Sequence, residues 1–342
     1  MTTRPPTRLP SSRSCVVALA AAVGAAGLCA GGVAANQAAP SVYQRQPEGP
    51  GAGAAEAPTD TSTDAPAAAP ATAAVEDAAA QAERIVVSSL GVIARAPSFA
   101  VKIRQKARVG DRVLVGTGRY LQSGEGEEQR FRFDSTLTCD SETFEFTEVS
   151  DGLFCWTHRH NGEEPPSLQR IDVRRVRGKL LDLKAPDAAD GASYLGGLQR
   201  MIRLMRHWFR FTKATPIDLD GQPVWVVEGG WYAAFLPIVL PQLKAKAATP
   251  GGIGPADMPD GMPWQVRLSI GRNDLIPRRI EWLAIPGTRP VADGPLETIA
   301  VLDLYDAEIN GPVDATAFFY QPATEGLIDV TEMYVTTLGL MR

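Results

Sequence analysis

Two neighbouring segments, residues 130–138 (RFRFDSTLT) and residues 143–149 (TFEFTEV), decide the fold because each alternates apolar with polar side chains. A period of two residues is that of a β-strand with one face covered and the other in solvent. The Asp-Ser pair at residues 140–141 is a turn signal between the two segments. Together these features predict an antiparallel hairpin that buries one of its faces.

The alternation continues on both sides of this hairpin. Residues 113–122 and residues 153–157 have the same period, and glycine-containing turns connect them to the hairpin, which predicts an antiparallel meander. The predicted fold class is mainly β with α: a single large curved antiparallel sheet of about nine or ten strands, with its concave face covered by helices. Further strands are predicted at residues 168–176, 223–228, 265–270, 278–284 and 298–309, and helices at residues 78–95, 194–211 and 330–340.

The N-terminal part of the chain has the pattern of a targeting segment followed by a tether. Residues 1–35 contain three arginines near their start, followed by an apolar stretch and then by small residues. This is the order of a secretory signal peptide. An uncleaved membrane anchor is the alternative, since residues 15–35 approach the ~20 residues that span a bilayer. Residues 36–74 are predicted to be a disordered linker, because alanine, proline and glycine dominate them. The folded domain is expected over residues 75–342, in a protein exported to the periplasm or cell envelope.

The charge balance excludes one broad class of function. The chain has 34 Lys and Arg residues against 39 Asp and Glu residues, a net charge of −5. This balance argues against a nucleic-acid-binding protein with a broad basic face. Basic residues are concentrated on the predicted helix at residues 194–211, where Arg200, Arg203 and Arg206 share the polar side. They are candidate contacts for an anionic headgroup, a membrane surface or an acidic partner.

The chain lacks the sequence patterns of common catalytic centres. It has three histidines and contains no zinc-protease, nucleophile-elbow or phosphate-loop motif. His158 and His160 share a predicted strand face, and we interpret them as a solvated hairpin tip rather than a metal site. No catalytic residue, metal or cofactor is predicted, and the protein is expected not to be an enzyme. A hydrolase that uses these two histidines is the alternative hypothesis of an enzymatic class.

Cys139 and Cys155 are the cysteines left after removal of the leader. An exported protein can oxidise such a pair. The predicted register places Cys155 opposite Glu148, which separates the two cysteines by about 20 Å along the middle strand. Because disulfide Cα separations stay below roughly 7 Å, a bridge between them would contradict the hairpin register.

Three stretches of the chain carry a resemblance to a known family. Residues 150–156 (SDGLFCW) resemble a D-G-x-x-x-W hairpin, and residues 276–282 (IPRRIEW) resemble the strand that follows a late turn. Residues 310–322, with NGPVD and FFYQP, and the Asp-Val pair at 329–330 resemble a C-terminal ending. The family is the LolA-like superfamily of periplasmic lipoprotein carriers. The resemblance implies a half-barrel whose concave apolar face holds acyl chains under a lid of helices.

The resemblance also implies an apolar ligand site on the covered face. A dry core made by the same side chains is the alternative, and the proline-containing residues 231–240 are the candidate lid. Such carriers use an arginine in lipoprotein handling, and Arg119 is the positional candidate here. The residues expected to line the site or its lid are Leu198, Ile202, Met205, Trp225, Trp231 and Phe235.

Two functions of different classes follow. The first is a non-enzymatic cell-envelope protein that binds an acyl chain, a phospholipid or a lipidated protein, as a carrier or a receptor. The second is a tethered interaction or sensor domain with no lipid ligand, which uses the basic helix face to contact a partner.

Overall fold

A computed structural model describes residues 71–162, 165–185, 192–259, 261–285, 295–322 and 325–338. Within these ranges the strands are β1 (Ser98–Val109), β2 (Arg112–Ser123), β3 (Arg130–Cys139), β4 (Glu142–Ser150), β5 (Phe154–Asn161), β6 (Ser167–Asp172), β7 (Phe209–Leu219), β8 (Gln222–Trp231), β9 (Gln265–Gly271), β10 (Pro277–Ala284), β11 (Glu297–Ile309) and β12 (Leu327–Asp329). The helices are α1 (Ala71–Ala94), α2 (Val173–Asp182), α3 (Ala192–Leu195), α4 (Gly197–Trp208), α5 (Leu236–Val239), α6 (Lys244–Ala247) and α7 (Thr331–Leu338).

All twelve described strands form one open sheet. Their order is β12-β6-β5-β4-β3-β2-β1-β11-β10-β9-β8-β7, so β12 and β7 are the two edges. Adjacent strands are antiparallel except β6 and β12, which pair in parallel. The predicted single curved sheet covered by helices is therefore confirmed, with the correction that the sheet is mixed. The prediction of nine or ten strands missed β1, β7 and β12.

The predicted central meander is confirmed strand by strand. β2, β3, β4 and β5 pair consecutively and antiparallel. Cys139 pairs with Glu142 and Cys155 pairs with Ser150, so the two cysteines lie at opposite ends of β4, and both thiols are free. The predicted pairing of Cys155 with Glu148 was wrong by two residues, which moves the cysteines further apart.

Alternation along the strands gives the sheet a covered inner face and an outer face. On β3, Phe131, Phe133 and Leu137 are buried on the inner face, while Thr136 and Thr138 on the outer face are exposed. Helices α1, α2, α4 and α7 pack on the inner face, and their apolar side chains merge with those of the strands into one core. The core therefore lies between the sheet and a single helical layer.

The predicted strand at residues 168–176 was wrong in its second half. The Asp172 carboxylate accepts hydrogen bonds from the backbone N–H groups of Arg174 and Arg175, at 2.9 and 3.1 Å. This is an N-cap, which satisfies two N–H groups that a helix leaves without a partner in its first turn. The strand therefore ends at Asp172, and the residues that follow form α2.

The predicted single helix at residues 194–211 was wrong at both ends. Gly196 separates α3 from α4, and Gly197, the first residue of α4, has a φ of +65°. At the other end, α4 stops at Trp208, and Phe209 and Phe211 belong to the inner face of β7. Phe209 continues the apolar stripe of the helix, but Phe209 and Phe211 together also have the two-residue spacing of a strand. This double fit explains the error.

The described chain begins four residues before the predicted domain boundary, because α1 starts at Ala71. The signal peptide predicted at residues 1–35, and the linker up to residue 70, lie outside the described residues and stay predictions. None of the described helices combines the length and hydropathy that crossing a membrane requires.

A segment between β8 and β9, residues 232–264, is called the insert here. It contains α5 and α6 and has its own small apolar core of Leu236, Leu240 and Met262. Partly buried side chains pack around these three, including Trp231 at the end of β8. The insert is thus joined to the main body through the end of β8.

Candidate functional site

An open groove with a volume of about 600 Å³ lies in the helical layer, between α2, α3, α4 and α7. Its lining is mainly apolar, and four of its described side chains are basic while none is acidic. The apolar and aromatic side chains are Leu180, Leu183, Ala185, Tyr194, Leu204, Tyr334 and Leu338. The polar ones are Lys184, Ser193, Arg200, Arg203, Arg206 and His207.

The amphipathic pattern of α4 separates the predicted site residues into two groups. Leu198, Ile202 and Met205 point to the sheet and are fully buried in the main core. Arg200, Arg203 and Arg206, on other sides of the same helix, line the groove. The structure therefore brings the predicted arginines together at one groove, but it does not place the three predicted apolar residues on its wall.

Arg203 is held in position by the short helix α3. Its guanidinium carbon lies 3.9 Å from the centroid of the Tyr194 ring, and its N–H groups donate to Tyr194 Oη at 2.9 Å and Ser193 Oγ at 3.1 Å. A guanidinium fixed by stacking and hydrogen bonds is pre-organised for an anion, because little side-chain entropy is lost on binding.

The two other arginines of α4 are also held by neighbouring elements. Arg206 donates two hydrogen bonds to Glu83 Oε1 on α1, at 2.7 and 2.9 Å, and thereby joins α4 to α1. Arg200 lies over the ring of Tyr334 on α7, with its guanidinium carbon 5.0 Å from the centroid. The basic side of α4 thus connects three helices around the groove.

A buried carboxylate anchors the N-terminus of α4 to the sheet. Glu148 on β4 accepts a hydrogen bond from the backbone N–H of Gly197, with a distance of 2.6 Å to Oε2. Burial raises the pKa of the Glu148 carboxyl above its usual range, although the charges of Arg200 and Arg159 and the Gly197 hydrogen bond counteract the rise. The position of the groove relative to the sheet depends on this contact.

A glutamine network supports the same end of α4. Gln199 Nε2 donates to Gln122 Oε1 at 2.7 Å and to Gln129 Oε1 at 2.9 Å. Gln122 in turn donates to the carbonyl oxygen of Ile93, near the end of α1, at 2.8 Å. Buried amides that bond to each other in this way hold α1 and α4 together on β2, while Gln199 Oε1 accepts no hydrogen bond from the described residues.

At the other end of α4, an aromatic cluster connects the groove to the insert. His207 lines the groove, and its ring centroid lies 4.8 Å from that of Trp208 and 4.9 Å from that of Phe235 on the insert. Burial lowers the pKa of His207, and its buried Nε2 atom has no hydrogen-bond partner among the residues that the structure describes. The predicted lid residue Phe235 therefore contacts the wall of the groove rather than its interior.

The two predicted tryptophans lie on β8, away from the groove wall. Trp231 donates from Nε1 to the carbonyl oxygen of Pro263 at 2.8 Å and packs on Phe209. Trp225 lies at the edge of the main core, and the centroid of its ring is 5.1 Å from the guanidinium carbon of Arg272. Their role as ligand contacts stays a prediction.

Arg119 and the two predicted strand histidines lie away from the groove. Arg119 is exposed on the outer face of β2 and donates to Asp134 Oδ2 at 2.9 Å. His158 and His160 are on the outer face of β5, and among the described side chains no cluster of three or more potential metal ligands occurs. Arg119 as a contact for a ligand or partner therefore belongs to a different surface from that of the α4 arginines.

Sequence reasoning missed the wall of the groove that α2 and α7 provide. Leu180 lies in a helix whose first residues carried a strand pattern, and Leu183 is the C-cap of that helix. Tyr334 and Leu338 lie far along the chain. The Asp172 N-cap signal was available in the sequence, because aspartate two residues before an Arg-rich, leucine-containing segment is a helix start.

The open sheet with helices packed on its inner face is the architecture that the sequence predicts. No protein-family model matches the chain, and no curated protein matches it either.

The chain also has distant matches among solved structures. A DUF1329 family protein from Desulfovibrio piger ATCC 29098 is 9% identical, with a TM-score of 0.31 over 71% of this chain and 98% of that one. An outer membrane lipoprotein-sorting protein domain from Vibrio parahaemolyticus is 10% identical, with a TM-score of 0.30 over 70% of this chain and 97% of that one. MucB, solved in complex with MucA(peri), is 10% identical, with a TM-score of 0.34 over 71% of this chain and 60% of that one. At TM-scores below 0.5 these likenesses carry nothing about ligands or partners.

Proposed function

We propose that this protein is a non-enzymatic cell-envelope protein that binds an acyl chain, a phospholipid or a lipidated protein in the groove. The observation that carries the proposal is the combination of an apolar lining with four basic side chains and no described acid. Small-molecule sites have volumes of roughly 300–1,000 Å³, and the groove, at about 600 Å³, falls within this range. An amphipathic anion matches both parts of the lining.

The apolar lining favours an acyl chain for an energetic reason. Apolar surface left in water costs about 25 cal/mol per Å², and a contiguous open patch commonly marks a binding site. Each methylene of a ligand that enters such a groove contributes about 0.8 kcal/mol. A chain of ordinary lipid length therefore supplies enough free energy for specific binding.

The proposed location is the periplasm or cell envelope, and it follows from the signal-peptide pattern of residues 1–35. The proline- and alanine-rich linker would let the folded domain reach away from an attachment point if the leader is retained. Carrier and receptor are both compatible with a groove that is open on one side, because the ligand can enter and leave.

The test uses two leucines that lie close together in the chain, on either side of Asp182, but differ in exposure. Leu183 lines the groove and packs against the main core, whereas Leu181 is 62% exposed and does not line it. We expect the full chain to bind laurate in a titration followed by native mass spectrometry. The affinity of the Leu183→Glu variant for laurate should be at least tenfold lower, because a carboxylate among apolar side chains repels the ligand. A tenfold change in affinity corresponds to about 1.4 kcal/mol.

The Leu181→Glu variant is the matched control and should bind like the wild type. Circular dichroism and thermal unfolding of both variants show whether the fold is kept. No binding of laurate or phospholipid by the folded wild type would contradict the proposal and would favour the tethered interaction domain instead.

A further inference from the structure

The insert exposes apolar side chains at residues 232–242, which are called the tip here. Ile238 is 67% exposed, and Tyr232 is 38% exposed. Helical turns make the tip compact, because the Phe235 N–H donates to the carbonyl oxygen of Tyr232 at 2.9 Å and the Ile238 N–H donates to that of Phe235 at 3.0 Å. The exposed residues of the tip are Tyr232, Ala233, Ala234, Ile238, Pro241 and Gln242. Gln242 is the one amide among them, and the others are apolar or aromatic.

The tip is apolar on its inner side as well. Leu236 and Leu240 are buried in the small core of the insert together with Met262. Phe235 packs on Trp208, with a distance of 5.3 Å between the ring centroids. A helical segment at a protein surface normally has polar side chains on the side that faces away from the core. Because the tip is apolar there too, it has an apolar surface of the kind that marks an interaction site.

The charges around the tip are basic. Residues 229–256 contain Lys244 and Lys246 and no Asp or Glu, in a chain that has 39 acidic residues. Lys246 forms an ion pair with Asp257, whereas Lys244 is exposed and makes no ion pair with the described side chains. Arg210, also exposed, is paired with the end of β8, where the insert begins. Cations therefore flank the tip on both sides in the sequence and fit a negatively charged partner.

We infer that the tip is a docking surface for an anionic phospholipid bilayer, in which Ile238 enters the apolar part of the interface and Lys244 contacts the headgroups. Binding to such a surface scales with the apolar area that is buried, and each basic residue near the headgroups adds electrostatic attraction. Tyr232 combines an apolar ring with a polar hydroxyl group, which suits the boundary between lipid and water. Docking at the tip goes beyond the proposed function, because a dissolved fatty acid can bind in the groove without it.

The tip also contacts the wall of the groove. The ring centroid of Phe235 lies 4.9 Å from that of His207, and His207 lines the groove. A tip docked on a bilayer therefore places the groove next to a surface that contains acyl chains.

The experiment measures sedimentation of the chain, purified from an exported expression, with vesicles of equimolar phosphatidylglycerol and phosphatidylcholine. We expect Ile238→Asp to lower the affinity for the vesicles tenfold or more, and Lys244→Gln to lower it about fivefold, the effect of one basic residue near such a surface. The controls are Ile217→Asp, at a 42% exposed position near the turn that joins β7 to β8, and Lys106→Gln, at an exposed position on β1. Both controls should bind the vesicles like the wild type.

Hydrogen exchange with mass spectrometry locates the contact on the chain. The vesicles should slow exchange in peptides that cover residues 232–248 of the wild type and should not do so in Ile238→Asp. Vesicle binding without this local protection would overturn the docking surface, because another segment, such as the leader predicted at residues 1–35, would then bind the lipid. Protection of residues 232–248 that rises with protein concentration in the absence of vesicles would also overturn it and would assign the tip to contacts between copies of the chain.

Failure of the wild type to sediment, or equal sedimentation with vesicles of phosphatidylcholine alone, would overturn the anionic docking surface as well. A laurate titration separates this result from a failure of the proposed function. Ile238 does not line the groove, so Ile238→Asp should bind laurate like the wild type. Thermal unfolding curves show whether each variant is folded.

Discussion

Gly197 determines how α4 begins, because its φ of +65° lies in the left-handed region that favours glycine. A Cβ at this position would lie 2.5 Å from Cε2 of Tyr120 and 3.1 Å from Cδ2 of Phe131. We predict that Gly197→Ala lowers the free energy of unfolding by about 2 kcal/mol, through backbone strain and overpacking. Chemical denaturation of the full chain measures this change.

Gly178 provides the matched control for this substitution. It lies inside α2, and a Cβ there would meet nothing within 4 Å. Gly178→Ala should therefore be neutral or stabilise the protein by about 0.5–1 kcal/mol, because alanine has the higher helix propensity. Equal destabilisation by the two substitutions would mean that the backbone conformation and contacts of Gly197 do not determine the cost of replacing it.

Glu148 should give the stability of the protein a distinctive dependence on pH. Burial raises the pKa of this carboxyl in the folded state, so the folded protein keeps a proton that the unfolded chain has already released. Its contribution to stability is therefore lost as the pH rises from the unfolded value through the raised folded value. We predict that the free energy of unfolding of the wild type falls with pH across this window, while that of Glu148→Gln does not. The difference, variant minus wild type, therefore increases with pH.

The glutamine keeps an oxygen that can accept the Gly197 N–H, so the comparison isolates the charge. Glu145→Gln, at an exposed position on the outer face of the same strand, is the matched control for the substitution itself. Urea unfolding at a series of pH values measures both differences. If the stabilities of Glu148→Gln and the wild type change in parallel with pH, the pKa of Glu148 is not raised in the folded protein.

At the scale of elements, the insert is held to the main body by few contacts. Phe235 packs on His207 and on Trp208, with centroid distances of 4.9 and 5.3 Å, and Val239 and Leu240 donate backbone hydrogen bonds within α5 and its end. We predict that Phe235→Ala makes amide exchange at residues 239–243 roughly tenfold faster, because an aromatic pair contributes about 0.5–1.5 kcal/mol.

Hydrogen exchange with mass spectrometry measures this effect peptide by peptide. Ile238→Ala is the control, since this side chain on the same helix is 67% exposed. Exchange in the central strands β2 to β5 should not change in either variant. If Phe235→Ala instead accelerates exchange throughout the sheet, the insert is part of the main cooperative unit.

The elements also show which features of the fold can be predicted from the sequence. The strands of the meander were predictable because Phe131, Phe133 and Leu137 follow the two-residue period of a half-covered sheet. The start of α2 was missed because Ile171 and Val173 continue the two-residue period of a strand across Asp172, and the N-cap that stops the strand is a local hydrogen bond. Competing periods over a few residues are decided by caps rather than by hydrophobicity.

The whole molecule combines a net charge of −5 with a groove whose described charges are basic. The predicted arginines of α4 are found at this groove, because the polar side of an amphipathic helix must face away from the core. The groove itself was not predictable, since its wall combines α2, α3 and α4 with α7, which lies far along the chain. Only the tertiary packing of these helices brings Leu183 and Tyr334 to the same cavity.

We propose that the groove is a binding site rather than a surface depression. The most direct measurement is native mass spectrometry of the chain purified from an exported expression, together with organic extraction of the same sample. We expect a bound fatty acid or phospholipid that is released on extraction and is absent from Leu183→Glu. A ligand-free mass that stays unchanged after incubation with laurate and phospholipid would contradict it.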